Sequence, residues 1–188
     1  FRLTPLGLAT DAALLFPGNF VALHTITITA ALNNMSKSTV SKEQVKAFVD
    51  TKTLALVGAS RNGKKFGNTL LKELRAKGYT VYPVHHEAQE IDGVRCYPTL
   101  AELPEKVGGV VLAVKPSASE QLLHAVREAG ISRVWLQQGA ESEQAIQYCE
   151  RNGMDVVHGH CLLMFADPVK SVHRVHRWFA NIFGKLTA

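Results

Sequence analysis

The sequence lacks the signs of several protein classes. Its 188 residues include only three cysteines, whose odd number and irregular spacing indicate the reduced thiols of a cytoplasmic protein, not a disulfide framework. No stretch approaches the roughly 18 consecutive apolar residues of a membrane span, so none is predicted. Lys and Arg form no dense run interleaved with aromatics, so the formal net charge of +5 favours small anionic ligands over nucleic acid.

The first 34 residues differ in composition from the rest. They carry only two charged residues, Arg2 and Asp11, and they begin with Phe1, whereas Met35 opens a stretch typical of an ordinary cytosolic start. One Arg and no Ser fit a transit peptide poorly. We expect residues 1–34 to be an extension that arises from cloning or upstream translation, or that stays disordered, with a strand over 21–30 as the alternative. The functional domain is then residues 35–188.

From residue 35 onward, short apolar runs alternate with helical patterns. Strands are predicted over residues 54–57, 80–84, 109–114, 133–136 and 155–157. Helices are predicted over residues 41–50, 66–77, 117–129, 143–151 and 168–183, with a short extended piece at 93–97 and a helical turn at 99–103. The alternation predicts an α/β fold: a Rossmann-like, doubly wound parallel sheet of about five strands, in a single domain with a C-terminal amphipathic helix.

In such a sheet, ligands bind beyond the carboxyl ends of the strands, near the point where the strand order reverses. After the first strand comes a turn that leads into a helix, and free N–H groups at a helix N-terminus favour phosphate. This turn reads Gly58-Ala59-Ser60-Arg61 and is followed by Lys64 and Lys65. The other strand ends carry Pro83-Val84-His85, Val114-Lys115-Pro116, Gln137-Gln138-Gly139 and His158-Gly159-His160-Cys161. The convergence of polar and cationic groups predicts a site for a phosphorylated cofactor.

The known nucleotide motifs narrow the choice of cofactor. The turn is not the dinucleotide fingerprint, because Ser60 stands where the second glycine is required, and no acid ends the second strand to hold a ribose. NAD is therefore disfavoured, whereas NADP stays open because Arg61 and the lysines could meet its 2′-phosphate. Gly63-Lys64-Lys65 is no P-loop either, because a hydroxyl residue must follow the lysine of that motif.

Five short motifs in order resemble a known family, the small stand-alone CoA-binding proteins, whose domain is similar to the N-terminal domain of the succinyl-CoA synthetase α subunit. They are Val57-Gly58-Ala59-Ser60, Gly78-Tyr79-x-Val81-x-Pro83-Val84, Tyr97-Pro98-Thr99-Leu100, Leu103-Pro104-Glu105-Lys106-Val107 and Val134-Trp135-Leu136-Gln137-x-Gly139. The resemblance covers about residues 42–165. It departs from the common form at Ala113-Val114-Lys115-Pro116, which is nearer the synthetase version, and at Gly159-His160-Cys161, where the family commonly has Asp-Arg-Cys.

The resemblance implies that coenzyme A lies across the strand ends. Its 3′-phospho-ADP end would lie over Ser60, Arg61 and Lys65, on the turn that begins with Gly58 and Ala59. The nucleotide would be bordered by Pro83, Val84 and His85, the pyrophosphate or pantetheine by Val114, Lys115 and Pro116, and the ligand further along by Gln137, Gln138 and Gly139. Cys161 follows the fifth strand at the mouth of the predicted groove, and this position alone gives two interpretations: a small buried hydrophobe, or a thiol close to the pantetheine sulfur that could form a mixed disulfide with CoA.

Two histidine groups invite other interpretations. His158, His160 and Cys161 are metal-ligand types, but no fourth ligand is evident near them, so no metal is predicted. His173 and His176 are one helical turn apart and are expected at a surface or interface. The basic amphipathic C-terminal helix that carries them is expected to pack on the domain or to form a homodimer contact, in preference to a membrane surface.

These observations together predict a binding protein for coenzyme A or acyl-CoA that acts as a carrier, sensor or regulator without catalytic residues. No nucleophile with a base and an orienting group is visible in the sequence. Two alternatives stay open. One is an oxidoreductase or sensor that binds NADP, although no Tyr-x-x-x-Lys pair is evident. The other is a subunit of an acyl-CoA synthetase-like complex that needs a partner chain.

Overall fold

The computed structural model describes residues 39–166, which form seven strands, four α-helices and two 3-10 turns. The strands are β1 (Thr53–Val57), β2 (Thr80–Val84), β3 (Glu90–Ile91), β4 (Val94–Arg95), β5 (Gly109–Leu112), β6 (Arg133–Gln137) and β7 (Asp155–His160). The helices are α1 (Lys42–Asp50), α2 (Phe66–Ala76), α3 (Pro116–Glu128) and α4 (Glu143–Arg151), and the 3-10 turns are Leu100–Glu102 and Leu162–Met164. The predicted extension over residues 1–34 and the predicted helix over 168–183, with His173 and His176, lie outside the described residues.

Five strands form one parallel sheet in the order β2-β1-β5-β6-β7. The chain moves from β1 outward to β2 and then returns to the other side of β1, where β5 pairs with it. The strand order therefore reverses between β1 and β5, which is the position where ligands bind in open parallel sheets. The predicted Rossmann-like α/β fold is confirmed.

Helices cover both faces of this sheet, and the strand residues alternate accordingly. Leu54 and Leu56 of β1 pack in a cluster with α1 and α2, whereas Ala55 between them packs in a second cluster with α3 and α4. The large ring of Trp135 is fully buried on the first face, 5.2 Å from the ring of Phe48 in α1. Burial on both faces explains why β1, β5 and β6 are almost continuously apolar.

Two predicted strand ends were wrong by two or more residues, whereas β6 ends one residue later than predicted, at Gln137. β5 stops at Leu112, not at residue 114, because Pro116 opens α3 at its first position. β7 continues to His160, not only to residue 157, through a bulge. Trp135 pairs with Val157 but Gln137 pairs with His160, so β7 holds one extra residue, which Gly159 accommodates at a φ of +72°.

The antiparallel pair β3–β4 was predicted only as an extended piece over residues 93–97. Glu90 pairs with Arg95 and Ile91 with Val94, so the loop between them is the two residues Asp92 and Gly93. Both have positive φ, 49° and 76°, as a type I′ turn requires. The chain then makes a parallel bridge from Tyr97 to Val84, which brings this hairpin beside the end of β2.

Candidate functional site

The turn after β1 lies in direct contact with both β5 and α2. Gly58 has a φ of +117°, and a Cβ at this position would lie 2.2 Å from the carbonyl oxygen of Ala113. Gly67 in the first turn of α2 faces the same turn, and its Cβ would lie 2.4 Å from the carbonyl oxygen of Gly58. Glycine at both positions therefore lets the N-terminus of α2 approach the strand ends at the switch point.

A buried side chain, that of Asn68, fixes the shape of this turn. Its Oδ1 accepts a hydrogen bond from the backbone N–H of Ser60, and its Nδ2 donates to the backbone carbonyl of Ser60, both at 2.9 Å. The Ser60 hydroxyl is 2.7 Å from Asn62 Oδ1 and 3.1 Å from Asn68 Oδ1, and Ser60 is only 8% exposed. Ser60 thus stabilises the turn, and its contact with a phosphate stays a prediction.

The hairpin β3–β4 is also attached to the turn through Asn68. Asn68 Nδ2 donates to Asp92 Oδ2 at 2.9 Å, so a residue 24 positions away helps to hold the turn after β1. The sequence analysis missed Asn68 and Asp92. Asp92 could have been found, because Asp-Gly between two short β-type segments is the strongest local signal of a hairpin.

The cations of this turn are exposed, and one of them is paired. Arg61 Nη2 lies 2.9 Å from Glu87 Oε2, with 64% of the Arg61 side chain and 53% of the Glu87 side chain accessible. Lys64 and Lys65 are exposed as well, and Lys65 is the residue immediately before α2. Glu87 was not among the predicted site residues, although its salt bridge joins the turn after β1 to the turn after β2.

The end of β2 places His85 near the same cations. Pro83 and Val84 are buried, whereas His85 is half-buried, and its Nδ1 accepts the backbone N–H groups of Glu87 and Ala88 at 3.2 Å each. Burial lowers the pKa of His85, and the nearby positive charges of His86, Arg61 and Lys65 lower it further. The structure therefore brings Arg61, Lys65 and His85 near one another, and their contact with a ligand stays a prediction.

A second helix N-terminus lies at the neighbouring strand end. Val114 is half-buried, Lys115 is exposed, and Pro116 occupies the first position of α3. The backbone carbonyl of Lys115 accepts the N–H groups of Ala118 and Ser119, but its side chain makes no capping hydrogen bond. The Lys115 ammonium group and the positive end of the α3 dipole both favour an anion beside the switch point.

The residues after β6 and β7 hold each other. Gln137 is 4% exposed, and its Oε1 accepts the backbone N–H of Leu162 at 3.2 Å. Its side chain therefore fixes the turn after β7, and a ligand contact of Gln137 stays a prediction. Gln138 and Gly139 are exposed, and Cys161 is a half-buried free thiol in the turn that Gln137 holds.

The bulge in β7 separates the two histidines that were considered as metal ligands. His160 is buried with its ring 5.7 Å from that of Phe165, whereas His158 is half-buried on the other side of Gly159. Strict alternation would place His158 and His160 on one face, and the extra residue disrupts that alternation. Residues 39–166 contain no group of three or more His, Cys, Asp or Glu residues that could hold a metal ion.

A groove lies at the opposite edge of the sheet from the predicted site. It has a volume of about 610 Å³ and is lined by residues that precede β5 and β6, among them Leu103, Val107 and Ile131. These positions are at the amino ends of the strands, so the groove is separate from the predicted site. In the part of the chain that the structure describes, no helix combines the length and the apolar character needed to cross a membrane.

Known proteins are similar to this chain in sequence and in fold. The chain is 32% identical over 123 residues to an ADP-forming acetate–CoA ligase from Archaeoglobus fulgidus, which covers 60% of this chain but only 18% of the ligase. A conserved hypothetical protein from Pyrococcus furiosus is 40% identical with a TM-score of 0.56, over 59% of this chain and 96% of that protein. A hypothetical protein from Pyrococcus horikoshii is 27% identical with a TM-score of 0.64, over 72% and 99%.

The chain therefore spans less than a fifth of the curated ligase that it matches, but almost all of the two small proteins of known structure. Residues 52–167, more than half of the chain, match the family described as the CoA binding domain. This range begins just before β1 and includes every residue of the candidate site. The chain belongs to the CoA binding domain family.

Proposed function

We propose that this protein binds coenzyme A or acyl-CoA at the carboxyl edge of its parallel sheet. The observation that carries the proposal is the turn after β1 in this chain, which belongs to the CoA binding domain family. The turn lies at the switch point of the sheet, beside two helix N-termini and several cations. A phosphorylated nucleotide matches this arrangement, because backbone N–H groups, helix dipoles and cationic side chains all stabilise negative charge.

The ligand is proposed to lie in one direction across the strand ends. Its 3′-phospho-ADP part contacts the turn of Ser60, Arg61 and Lys65 and borders Pro83, Val84 and His85. Its pyrophosphate and pantetheine pass Val114, Lys115 and Pro116 and extend toward Gln138, Gly139 and Cys161. This orientation is supported by the exposed cations near the ends of β1 and β2, because they favour the negatively charged 3′-phospho-ADP part of the ligand there.

We propose further that the domain binds its ligand without changing it covalently, as a carrier, sensor or regulator. Ser60 is the hydroxyl nearest the proposed phosphates, and it is bonded to two asparagine side chains and not to a base. Asparagine does not accept a proton as histidine or a carboxylate does, so Ser60 is not activated as a nucleophile. The cytoplasmic location stays a prediction from the three free cysteines.

The second candidate function is that of a subunit in an acyl-CoA synthetase-like complex. It is favoured by the match to an acetate–CoA ligase of which this chain covers only 18%. Such a complex would obtain its remaining parts from a partner chain. Acyl-CoA formation that depends on a partner isolated with this protein, and is absent without it, would favour this candidate over a non-catalytic carrier.

Titration calorimetry of the full chain with CoA, dephospho-CoA, NAD and NADP tests the proposal. We expect CoA to bind with a dissociation constant on the order of micromolar, and we expect Arg61→Ala to weaken that binding. The matched control is Arg75→Ala, which removes an exposed arginine in the last turn of α2, far from the N-terminus that faces the strand ends. Binding of NADP with no response to CoA would replace this proposal with the oxidoreductase alternative.

A further inference from the structure

One acidic residue stands among the cations of the proposed site. Glu87 is on the turn after β2, and its Oε2 lies 2.9 Å from Arg61 Nη2 on the turn after β1. Its other oxygen, Oε1, lies 3.6 Å from Nε2 of His86. The carboxylate therefore lies beside the Arg61 guanidinium, a group that would otherwise attract a phosphate, and near the imidazole of His86.

The backbone of Glu87 is held in place by the side chain of His85. Its N–H donates to His85 Nδ1 at 3.2 Å, and so does the N–H of Ala88, so the imidazole holds this turn in place. Arg61, in contrast, reaches the carboxylate with a long and exposed side chain. A planar guanidinium binds a carboxylate and a phosphate by the same geometry, so it can exchange one for the other.

From these contacts we infer that Glu87 competes with the 3′-phosphate of the ligand for Arg61, and thereby limits how strongly the protein distinguishes CoA from dephospho-CoA. This inference rests on the proposed function. Arg61 must leave Glu87 to bind the phosphate, and Glu87 then remains as a negative charge beside the bound anion. Both effects weaken the 3′-phosphorylated ligand more than its dephosphorylated form.

The size of the effect follows from the exposure of the pair. Because both side chains are more than half accessible, the salt bridge is screened by water and ions, and such exposed pairs change an equilibrium constant by about one- to fivefold. We expect Glu87→Gln, which removes the charge and keeps the shape, to strengthen CoA binding about two- to fivefold. Dephospho-CoA should change by less than about 1.5-fold.

The experiment compares four proteins with both ligands by calorimetry: the native chain, Glu87→Gln, Arg61→Ala and the double variant. Glu150→Gln is the matched control, because it makes the same change in net charge on an exposed residue near the C-terminal end of α4. We expect the control to equal the native chain. We also expect the gain from Glu87→Gln to shrink once Arg61 has been removed, because only the repulsion between the Glu87 carboxylate and the bound phosphate then remains.

Three results would overturn the inference while CoA binding stands. Glu87→Gln could match Glu150→Gln, it could strengthen both ligands equally, or its gain could be undiminished when Arg61 is absent. If the native chain binds neither CoA nor dephospho-CoA, the proposed function fails and the inference fails with it. Titration of the native chain alone therefore distinguishes failure of the proposed function from failure of the inference about Glu87.

Discussion

Replacing Gly67 by alanine adds one methyl group and should move helix α2 away from the turn after β1. The Cβ of an alanine would lie 2.4 Å from the carbonyl oxygen of Gly58, 2.5 Å from its carbonyl carbon and 2.6 Å from the nitrogen of Ala59. All three are backbone atoms, so no side chain can rotate away. Because ordinary contacts of a Cβ begin at 3.4 Å, α2 must retreat from the turn by about 1 Å.

Two effects of opposite sign decide how Gly67→Ala changes the free energy of unfolding. Replacing glycine by alanine inside a helix stabilises by up to about 1 kcal/mol, and less in the first turn. Overpacking costs about 1–3 kcal/mol, and a clash between backbone atoms belongs to the upper part of that range. The clash should win, so we expect Gly67→Ala to destabilise the protein by about 1–2 kcal/mol.

Urea unfolding followed by circular dichroism measures this change, with an unaltered slope and a lower midpoint as the expected result. Thr69→Ala is the matched control, since Thr69 is an exposed residue of the same helical turn and should keep or slightly raise the midpoint. Calorimetry on the same proteins should show weaker CoA binding for Gly67→Ala only. A Gly67→Ala protein as stable as the native chain would refute the close approach of α2 to the turn.

Three further outcomes follow from the contacts. Asn68→Ala leaves the backbone groups of Ser60 without their partners and should lower the free energy of unfolding by about 2–4 kcal/mol in urea titrations, well beyond the loss for the exposed Asn62→Ala. The folded-state pKa of His85 is below its usual 6.5, so the unfolded chain binds more protons and stability should fall as pH drops below 6.5, a slope that His85→Asn should reduce. Ellman's reagent should label Cys161 first, because burial raises the pKa of the Cys96 thiol and raises that of the Cys149 thiol to about 12. A fast labelling phase that remains in the Cys161→Ser variant would contradict this expectation.

Local signals were sufficient for most of the fold. The strand over residues 80–84 and the helix over 143–151 have the bounds predicted for them, because apolar runs and helix-ending glycines are encoded within a few neighbouring residues. The fold class alone predicts that the site lies at the strand ends. The reversal of strand order between β1 and β5 then placed the Gly58 turn at its centre.

Contacts between distant segments could not be read from the sequence. Asn68 links Ser60 to Asp92, and Arg61 pairs with Glu87, but neither pair has a spacing that a helix or a strand would reveal. Gln137 was predicted to border the ligand, and the structure shows that its side chain also accepts the Leu162 N–H, a contact that the sequence analysis does not contain. Only the packing of the folded chain decides how such polar side chains are used.

The bulge in β7 shows a second limit of sequence analysis. His158-Gly159-His160 resembles a loop because glycine usually interrupts strands, and the predicted strand therefore stopped at residue 157. In the fold, pairing with β6 continues past Gly159 at the cost of one extra residue. The bulge reorients the chain toward Cys161, so it shapes the far end of the proposed binding region.

The central claim is that CoA binds at the carboxyl edge of the sheet, and the most direct test is a ¹⁵N-resolved NMR titration of the full chain with CoA. The account predicts the largest shifts at the backbone amides of Ser60, Arg61, His85 and Lys115, and little change at Gly130 and Ile131 beside the groove of the opposite edge. Large shifts at the groove, with the four strand-end amides unchanged, would contradict it.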